Sequence, residues 1–175
     1  LGLVGLSCND ALAAARDAGL VPTCTVGTTA APSSDLVDAV ERVEPRGSVN
    51  VGSEIQLITY AAQTPVGKPA NAPTFAGTMT EGAAGTLNWT AFTCPSGTGS
   101  LSSYEVTLTN GTFSGGATVF SFNPNTRTAQ FTVDAGKAGQ VVTATYRAFC
   151  GDRPSDVSPQ GQSTTIVAAN PGNGD

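Results

Sequence analysis

Apolar and polar residues follow a helical period near the start of the chain. Ser7 can cap a first turn, Asp10 lies three residues later as its capping-box partner, and Gly19 is suited to end the helix. Between them, Leu12 and Ala15 lie at helical spacing with Gly19, which predicts a narrow stripe of small side chains. This stripe could pack closely against a sheet.

Three strand-like runs follow the helix, at residues 20–26, 36–43 and 54–62. One helix on a three-stranded sheet is the simplest way to bury their apolar faces. The sequence therefore predicts a small α+β domain over residues 1–62.

The pattern changes after Ala62. Residues 63–73 contain three prolines and a glycine and offer little to bury, which is typical of a semi-extended linker, and we place this linker at residues 63–71. Beyond this predicted linker we expect a second domain over residues 72–168 and a flexible tail over residues 169–175.

The second domain has the alternation of half-buried strands rather than a helical period. Leu87, Trp89 and Ala91, for example, alternate with polar neighbours, so that the strand has one apolar face. Turn residues separate the candidate strands, and seven such strands predict an all-β, two-sheet sandwich of about 100 residues. They lie at 73–79, 85–91, 103–109, 116–122, 127–133, 140–149 and 161–168.

Composition supports a folded, strand-rich chain and argues against nucleic-acid binding. Hydrophobic residues make up 39% and charged residues 12%, with 21 Gly and 11 Pro, which is too apolar for a disordered chain but rich in turn formers. The net charge of −5 disfavours contact with a phosphate backbone, which needs clustered Lys and Arg. No apolar run approaches the length of a membrane span, so we expect that this piece itself does not cross a membrane.

The chain contains no histidine, which removes Ser-His-Asp and Cys-His catalytic arrangements. Paired acids fall at loop or strand-surface positions, and the glycine-rich residues 111–116 precede a strand rather than a helix, unlike a phosphate-binding loop. Asp152 and Asp156 offer too few oxygens for calcium. We expect no enzyme activity, no cofactor and no metal.

The chain has four cysteines, at Cys8, Cys24, Cys94 and Cys150. No two of them have the C-x-x-C spacing, which disfavours a zinc site. The chain reverses at Gly19, between the predicted helix and the first strand. Cys8 lies about 16 Å from Gly19 along the helix, and Cys24 lies about 16 Å from Gly19 along the strand, so the two thiols are at the same level. Cys94 and Cys150 follow strands that end at the same pole of the predicted sandwich. Two disulfides, Cys8 with Cys24 and Cys94 with Cys150, are therefore predicted, with four free thiols in a cytoplasmic protein and cross-pairing between domains as alternatives.

Residues 3–61 resemble the PASTA family of bacterial penicillin-binding proteins and membrane-anchored serine/threonine kinases. The resemblance rests on Val4-Gly5-Leu6-Ser7 at the entry, on Gly19-Leu20 after the helix, and on Gly47 and Val51-Gly52-Ser53 in the final hairpin. It implies a region on the extracellular side of a bacterial plasma membrane that binds peptidoglycan fragments. Because Leu3 is nearly the first family residue, we expect the chain to be a piece of a longer, membrane-anchored parent.

Residues 72–168 look like a fibronectin type III domain. Pro73 leads the first strand, Trp89 and Tyr104 lie in the second and third, and Tyr146 faces inward from the sixth. We expect Trp89 to be a core residue. The family's tyrosine corner falls at Val142, so an immunoglobulin-like relative stays an alternative.

Candidate binding residues lie in turns. Glu44 and Arg46 flank the turn before the last hairpin of the first domain and could meet a zwitterionic peptide stem, or could be exposed turn charges. In the sandwich, residues 95–102 and 151–159, which include Asp152 and Arg153, form loops at the pole of the predicted second disulfide. Three functions are compatible: a peptidoglycan-binding sensor region with the sandwich as spacer or protein-binding module, an adhesin-like receptor that binds a host or neighbouring-cell protein through the sandwich loops, or a passive spacer.

Overall fold

A computed structural model describes residues 2–170, which are mostly β structure with one helix. The chain divides between Thr64 and Pro65 into two compact units, each described separately below. Within the predicted linker 63–71, Val66 and Pro69 are buried, and residues from Pro65 onward belong to the second unit. Residues 171–175 of the predicted tail lie outside the described residues.

The helix of the first unit, α1, spans Cys8–Asp17 and begins with the predicted cap. The Asp10 amide donates to Ser7 Oγ (3.2 Å), while the Ser7 hydroxyl donates to the Asp10 carboxylate (2.7 Å). Ala11 and Ala15 are fully buried, and Gly19 ends the helix with φ +75°. The buried stripe therefore centres on two alanines, whose small side chains allow the helix to lie close to the sheet.

Three strands form the sheet of the first unit: β1 (Val21–Ala30), β2 (Val40–Glu44) and β3 (Glu54–Ala61). Their order is β1-β3-β2, with β1 parallel and β2 antiparallel to the central β3. The predicted strand at 36–43 begins later than expected, because Ser34–Leu36 form a 3-10 turn and Asp38 has φ +63°. The core of this unit joins the helix to the sheet through Leu3, Ala11, Ala15, Val40, Ile55 and Leu57.

The second unit consists of two antiparallel sheets, which is the arrangement of a fibronectin type III-like or immunoglobulin-like sandwich. The strands are β4 (Thr74–Ala76), β5 (Ala84–Asn88), β6 (Leu101–Thr109), β7 (Gly111–Thr112), β8 (Val119–Phe122), β9 (Thr128–Val133), β10 (Val141–Cys150), β11 (Arg153–Pro154) and β12 (Gly161–Thr165). One sheet has the order β4-β5-β9-β7; the other has the order β11-β10-β6-β8, with β12 also paired to β10. Each of the seven predicted strands overlaps an observed strand, and the two short strands β7 and β11 are additional.

The core of the sandwich is aromatic at its centre. Trp89 is buried, as predicted, with its ring 6.0 Å from Tyr104 and 5.1 Å from Phe122. Two tyrosine hydroxyls make half-buried hydrogen bonds: the Tyr104 hydroxyl accepts from the Phe92 amide (2.8 Å), and the Tyr146 hydroxyl shares a hydrogen bond with the Thr90 hydroxyl (3.0 Å). These bonds fix the chain after β5 although Val142 occupies the tyrosine-corner position.

Both predicted disulfides are present. Cys8 is bonded to Cys24 with a Cα–Cα distance of 6.3 Å, and Cys94 to Cys150 with a Cα–Cα distance of 5.8 Å. The first joins the start of α1 to β1, and the second joins the segment after β5 to the end of β10. Each disulfide lies within one unit.

Candidate binding groove

A groove with a volume of about 610 Å³ lies on the first unit. Its walls come from the residues before α1, the end of α1, the edge strand β2 and the turn between β2 and β3. The floor is apolar, and this follows from the core, because the side chains that close the core under the helix also reach the groove. These floor residues are Leu3, Leu20, Val43, Val49 and Ile55.

The rim of the groove is also apolar and strongly exposed. Val51 is 81% exposed and Val4 is 63% exposed, although both line the groove. At one end the Gly5 amide donates to the Val40 carbonyl (2.9 Å) and the Val40 amide donates to the Leu6 carbonyl (2.8 Å), which holds the rim segment against β2. Apolar rims of this kind are typical of ligand-binding surfaces.

The charges at the groove are unevenly paired. The Arg42 guanidinium donates to Glu41 (2.9 Å) and to Glu44 (3.2 Å), so two carboxylates more than offset its charge. Arg46 lines the groove and makes no ion pair within residues 2–170. Of the two predicted binding residues, only Arg46 lines the groove. Glu44 is outside the lining and is ion-paired with Arg42.

This arrangement suits an extended ligand with small apolar groups and one carboxylate. A guanidinium can hold a carboxylate through two parallel hydrogen bonds, and the adjacent floor can bury aliphatic groups. Sequence reasoning found Arg46 but missed the apolar rim, because Val4 and Val51 lie far apart in the chain and line the same groove only in the folded unit.

The second predicted region, residues 151–159 of the sandwich, is only partly the loop that the sequence predicts. Asp152 is exposed at the turn, whereas Arg153 is half-buried and belongs to β11, which pairs with the end of β10. Ser155 and Ser158 are buried. The segment is therefore an irregular continuation of the sheet, and its exposed part is limited mainly to the turn and to side chains that point outward.

Two serines bind this segment to β10. Ser158 donates its amide to the Tyr146 carbonyl (2.8 Å), and its Oγ accepts from the Tyr146 amide (3.0 Å). Ser155 makes the same pair of bonds with Ala148, at 2.7 Å and 2.9 Å. Each serine oxygen replaces a backbone carbonyl of a regular neighbouring strand, so the edge of β10 is satisfied without a regular strand.

The other predicted loop, residues 95–102, is partly built into the scaffold. Thr98 is buried and its hydroxyl donates to the Pro95 carbonyl (2.7 Å), while Leu101 begins β6. Asp152 and Asp156 do not form part of any metal-ligand cluster: within the described residues no group of three or more His, Cys, Asp or Glu side chains could hold a metal ion. Among those residues, no helix has the length and apolar character needed to cross a membrane.

No known protein family and no curated protein matches the chain. Solved structures with some likeness include titin domains A168–A170 (13% identity, TM-score 0.41, covering 67% of this chain and 38% of that chain). Chicken CNTN1 domains FN1–FN3 have 12% identity and a TM-score of 0.39, covering 64% of this chain and 34% of that chain. The entire extracellular region of the Ser/Thr kinase PrkC from Staphylococcus aureus has 13% identity and a TM-score of 0.30, covering 93% of this chain and 49% of that chain. The chain spans less than half the length of each of these structures. Because all three TM-scores are below 0.5, the assignment of a sandwich rests on the strand order of the second unit. Membership of the PASTA family stays a prediction.

Proposed function

We propose that this chain is a non-catalytic, extracytoplasmic binding region whose first unit holds the peptide part of a peptidoglycan fragment in the groove. The sandwich acts as a spacer or protein-binding module. The observation that carries the proposal is Arg46, a guanidinium without an ion-pair partner among the described residues, beside an apolar floor. The parent proposed from the PASTA resemblance is a membrane-anchored serine/threonine kinase or penicillin-binding protein at the bacterial surface.

Two disulfides in a chain of 175 residues support the extracytoplasmic location. Disulfides persist in oxidising compartments and are reduced in most cytosols. Each disulfide also closes a loop within a small unit, where a limited core benefits most from a covalent link.

The chemistry of the groove fits a short peptide that ends in a carboxylate. Arg46 would bind the carboxylate, and aliphatic side chains such as those of alanine would lie between Val4 and Val51 on the floor. Arg42 is already balanced by Glu41 and Glu44 and contributes less, because a new anion would compete with two carboxylates.

Muropeptides titrated into the isotope-labelled full chain test the proposal by NMR. We expect amide shifts at Val4, Arg46 and Val51, with saturation in the millimolar range or below. Arg46→Gln should weaken binding about tenfold or more, because a hydrogen bond to a charged group contributes about 1.5–3 kcal/mol. Arg16→Gln, which removes an exposed arginine of α1 outside the groove lining, is the matched control and should bind as the wild type does.

Two outcomes would count against the proposal. No amide shift at millimolar muropeptide would remove peptidoglycan as the ligand. Equal loss of affinity in Arg46→Gln and Arg16→Gln would mean that the effect is one of net charge and not of the groove. Binding of a host or neighbouring-cell protein to the sandwich alone would favour the adhesin-like alternative.

A further inference from the structure

The outermost strand of one sandwich sheet, β8, has an open edge. It ends the strand order β11-β10-β6-β8. The register pairs Val106 with Phe120 and Thr107 with Val119, and the Leu108 amide donates to the Thr118 carbonyl (2.8 Å). Hydrogen-bonded and non-hydrogen-bonded pairs alternate in an antiparallel ladder, so the backbone groups of every second residue of β8 face β6.

It follows that the amide and carbonyl of Phe120 and Phe122 are used by β6. Those of Val119 and Ser121 point away from the sheet. An outward row of donors and acceptors is a template for a further strand.

β8 also lacks the usual protection of an edge strand. Its residues, Val119–Phe122, include no lysine, no proline and no charge, and the pairing with β6 continues without a register shift. The edge strand β1 of the first unit differs, because it contains Pro22 and a register shift between Val26 and Ala30. Prolines and bulges of that kind prevent strands from adding to an edge.

The side chains of β8 add apolar surface to the open backbone. Val119 is 46% exposed and Phe120 is 41% exposed. The Phe120 ring lies 5.8 Å from Phe113 and 5.0 Å from Phe122, so it is held at the side of the sandwich by aromatic neighbours. A partner strand would cover a preorganised ring.

The charge around β8 indicates which partner fits. Residues 106–126 contain no Asp, Glu, Lys or Arg, although the chain carries a net charge of −5. The charged residue paired with β8 in the ladder is Glu105, opposite Ser121, and its carboxylate is ion-paired with Arg147 (2.6 Å). An acidic or basic partner would therefore find no unpaired opposite charge along this ladder. Two copies of this chain, by contrast, can bring these segments together without placing like charges opposite each other.

We propose that β8 is a self-association edge at which two copies of the chain pair antiparallel through Val119–Phe122. A two-fold axis through the pair sets Phe120 opposite Phe120 of the second copy, at a non-hydrogen-bonded site where side chains approach most closely. Val119 of each copy then faces Ser121 of the other and exchanges both backbone hydrogen bonds. The outward amides and carbonyls of Val119 and Ser121 therefore match those of the same residues in a second copy. This match is the reason for proposing a second copy as the partner.

The association is weak because the paired strand is short. Stable interfaces bury about 1,600 Å² in total, and a four-residue edge covers much less. We expect a dissociation constant on the order of 100 μM, so that dimers form only at high local concentration, as on a crowded surface.

Sedimentation equilibrium of the full, oxidised chain between about 10 μM and 1 mM tests the proposal. The wild type should rise with concentration from the monomer mass towards twice that mass. Val119→Lys, which puts a charge on the edge, and Ser121→Pro, which removes an outward amide without loss of a β6 bond, should each raise the dissociation constant about tenfold or more.

Val167→Lys is the matched control. Val167 is also 46% exposed in the same unit, but its amide already donates to the Met79 carbonyl (2.8 Å) and its carbonyl accepts from the Glu81 amide (3.0 Å). It therefore offers no strand edge, and this variant should dimerise as the wild type does. Val119→Lys alters only an exposed side chain, so it carries the test even where Ser121→Pro fails to fold.

Three results would overturn the proposal. The first is a wild type that stays monomeric at about 1 mM, which would leave the edge to a different protein. The second is equal weakening by Val119→Lys and Val167→Lys, and the third is undiminished dimerisation of a folded Ser121→Pro variant. None of these results bears on muropeptide binding in the groove of the first unit.

Discussion

Replacement of the buried Ser158 tests whether its hydrogen bonds to β10 stabilise the sandwich. In Ser158→Ala, the Tyr146 amide loses its acceptor at 3.0 Å, and the bond from the serine hydroxyl to the Pro159 carbonyl (2.9 Å) is lost as well. Ser158 is only 6% exposed, so water has little access to the amide. An unsatisfied buried donor costs about 1–3 kcal/mol, and we expect the second unit to lose this much stability.

Urea unfolding followed by tryptophan fluorescence measures the effect. Trp89 is the single tryptophan of the chain and lies in the core of the second unit, so its signal reports on that unit. Hydrogen exchange gives a local measure, because the Tyr146 amide should exchange faster in the variant relative to amides elsewhere in β10.

Ser163→Ala is the control. Its Oγ accepts from the Val142 amide (2.9 Å), but the side chain is half-buried and water can take its place. We expect a loss below about 1 kcal/mol. The reasoning is refuted if Ser158→Ala lies within about 0.3 kcal/mol of the wild type, or if Ser163→Ala is equally destabilising.

Three further predictions concern the sandwich. Replacement of Cys94 and Cys150 by serine should destabilise it by about 4 kcal/mol, since the disulfide spans 56 residues of chain, as measured by urea unfolding. Gly161→Ala should cost about 1–3 kcal/mol in the same assay, because the added methyl group would collide with the Pro73 carbonyl. Burial raises the pKa of the Tyr146 hydroxyl above its ordinary value of 10.0, so the folded state favours the neutral form. The stability that this preference adds is complete below pH 10 and is lost as the pH rises above that value. Tyr146→Phe should remove this loss of stability at alkaline pH.

Each of these has a result that would contradict it. Equal stability of the oxidised and the serine-substituted chain would mean that the disulfide does not restrict the unfolded state. A Gly161→Ala variant as stable as the wild type would mean that β12 and Pro73 can move apart to accept the methyl group. An alkaline loss of stability that is the same with and without the Tyr146 hydroxyl would assign it to other groups.

Local sequence signals determined most of the elements. Ser7, Asp10 and Gly19 specified where α1 begins and ends, because capping and helix termination depend on neighbouring residues. Alternation of apolar residues predicted the strands of the sandwich, since the period of two places one face in the core. The disulfide pairs followed from the same spacing, because strand direction and helix rise set where each cysteine lies.

Contacts between distant residues decided what the local pattern left open. Residues 151–159 have the polar, proline-containing composition of a loop, yet the buried amides of β10 bind Ser155 and Ser158, because buried donors need acceptors and the serine oxygens are within reach. The groove likewise depends on tertiary packing: Val4 and Val51 are isolated valines in the sequence and become one rim only when the start of the chain and the β2–β3 turn meet. The sequence alone determined the elements, whose causes lie within a few residues, whereas only the folded units decided which surfaces are left exposed.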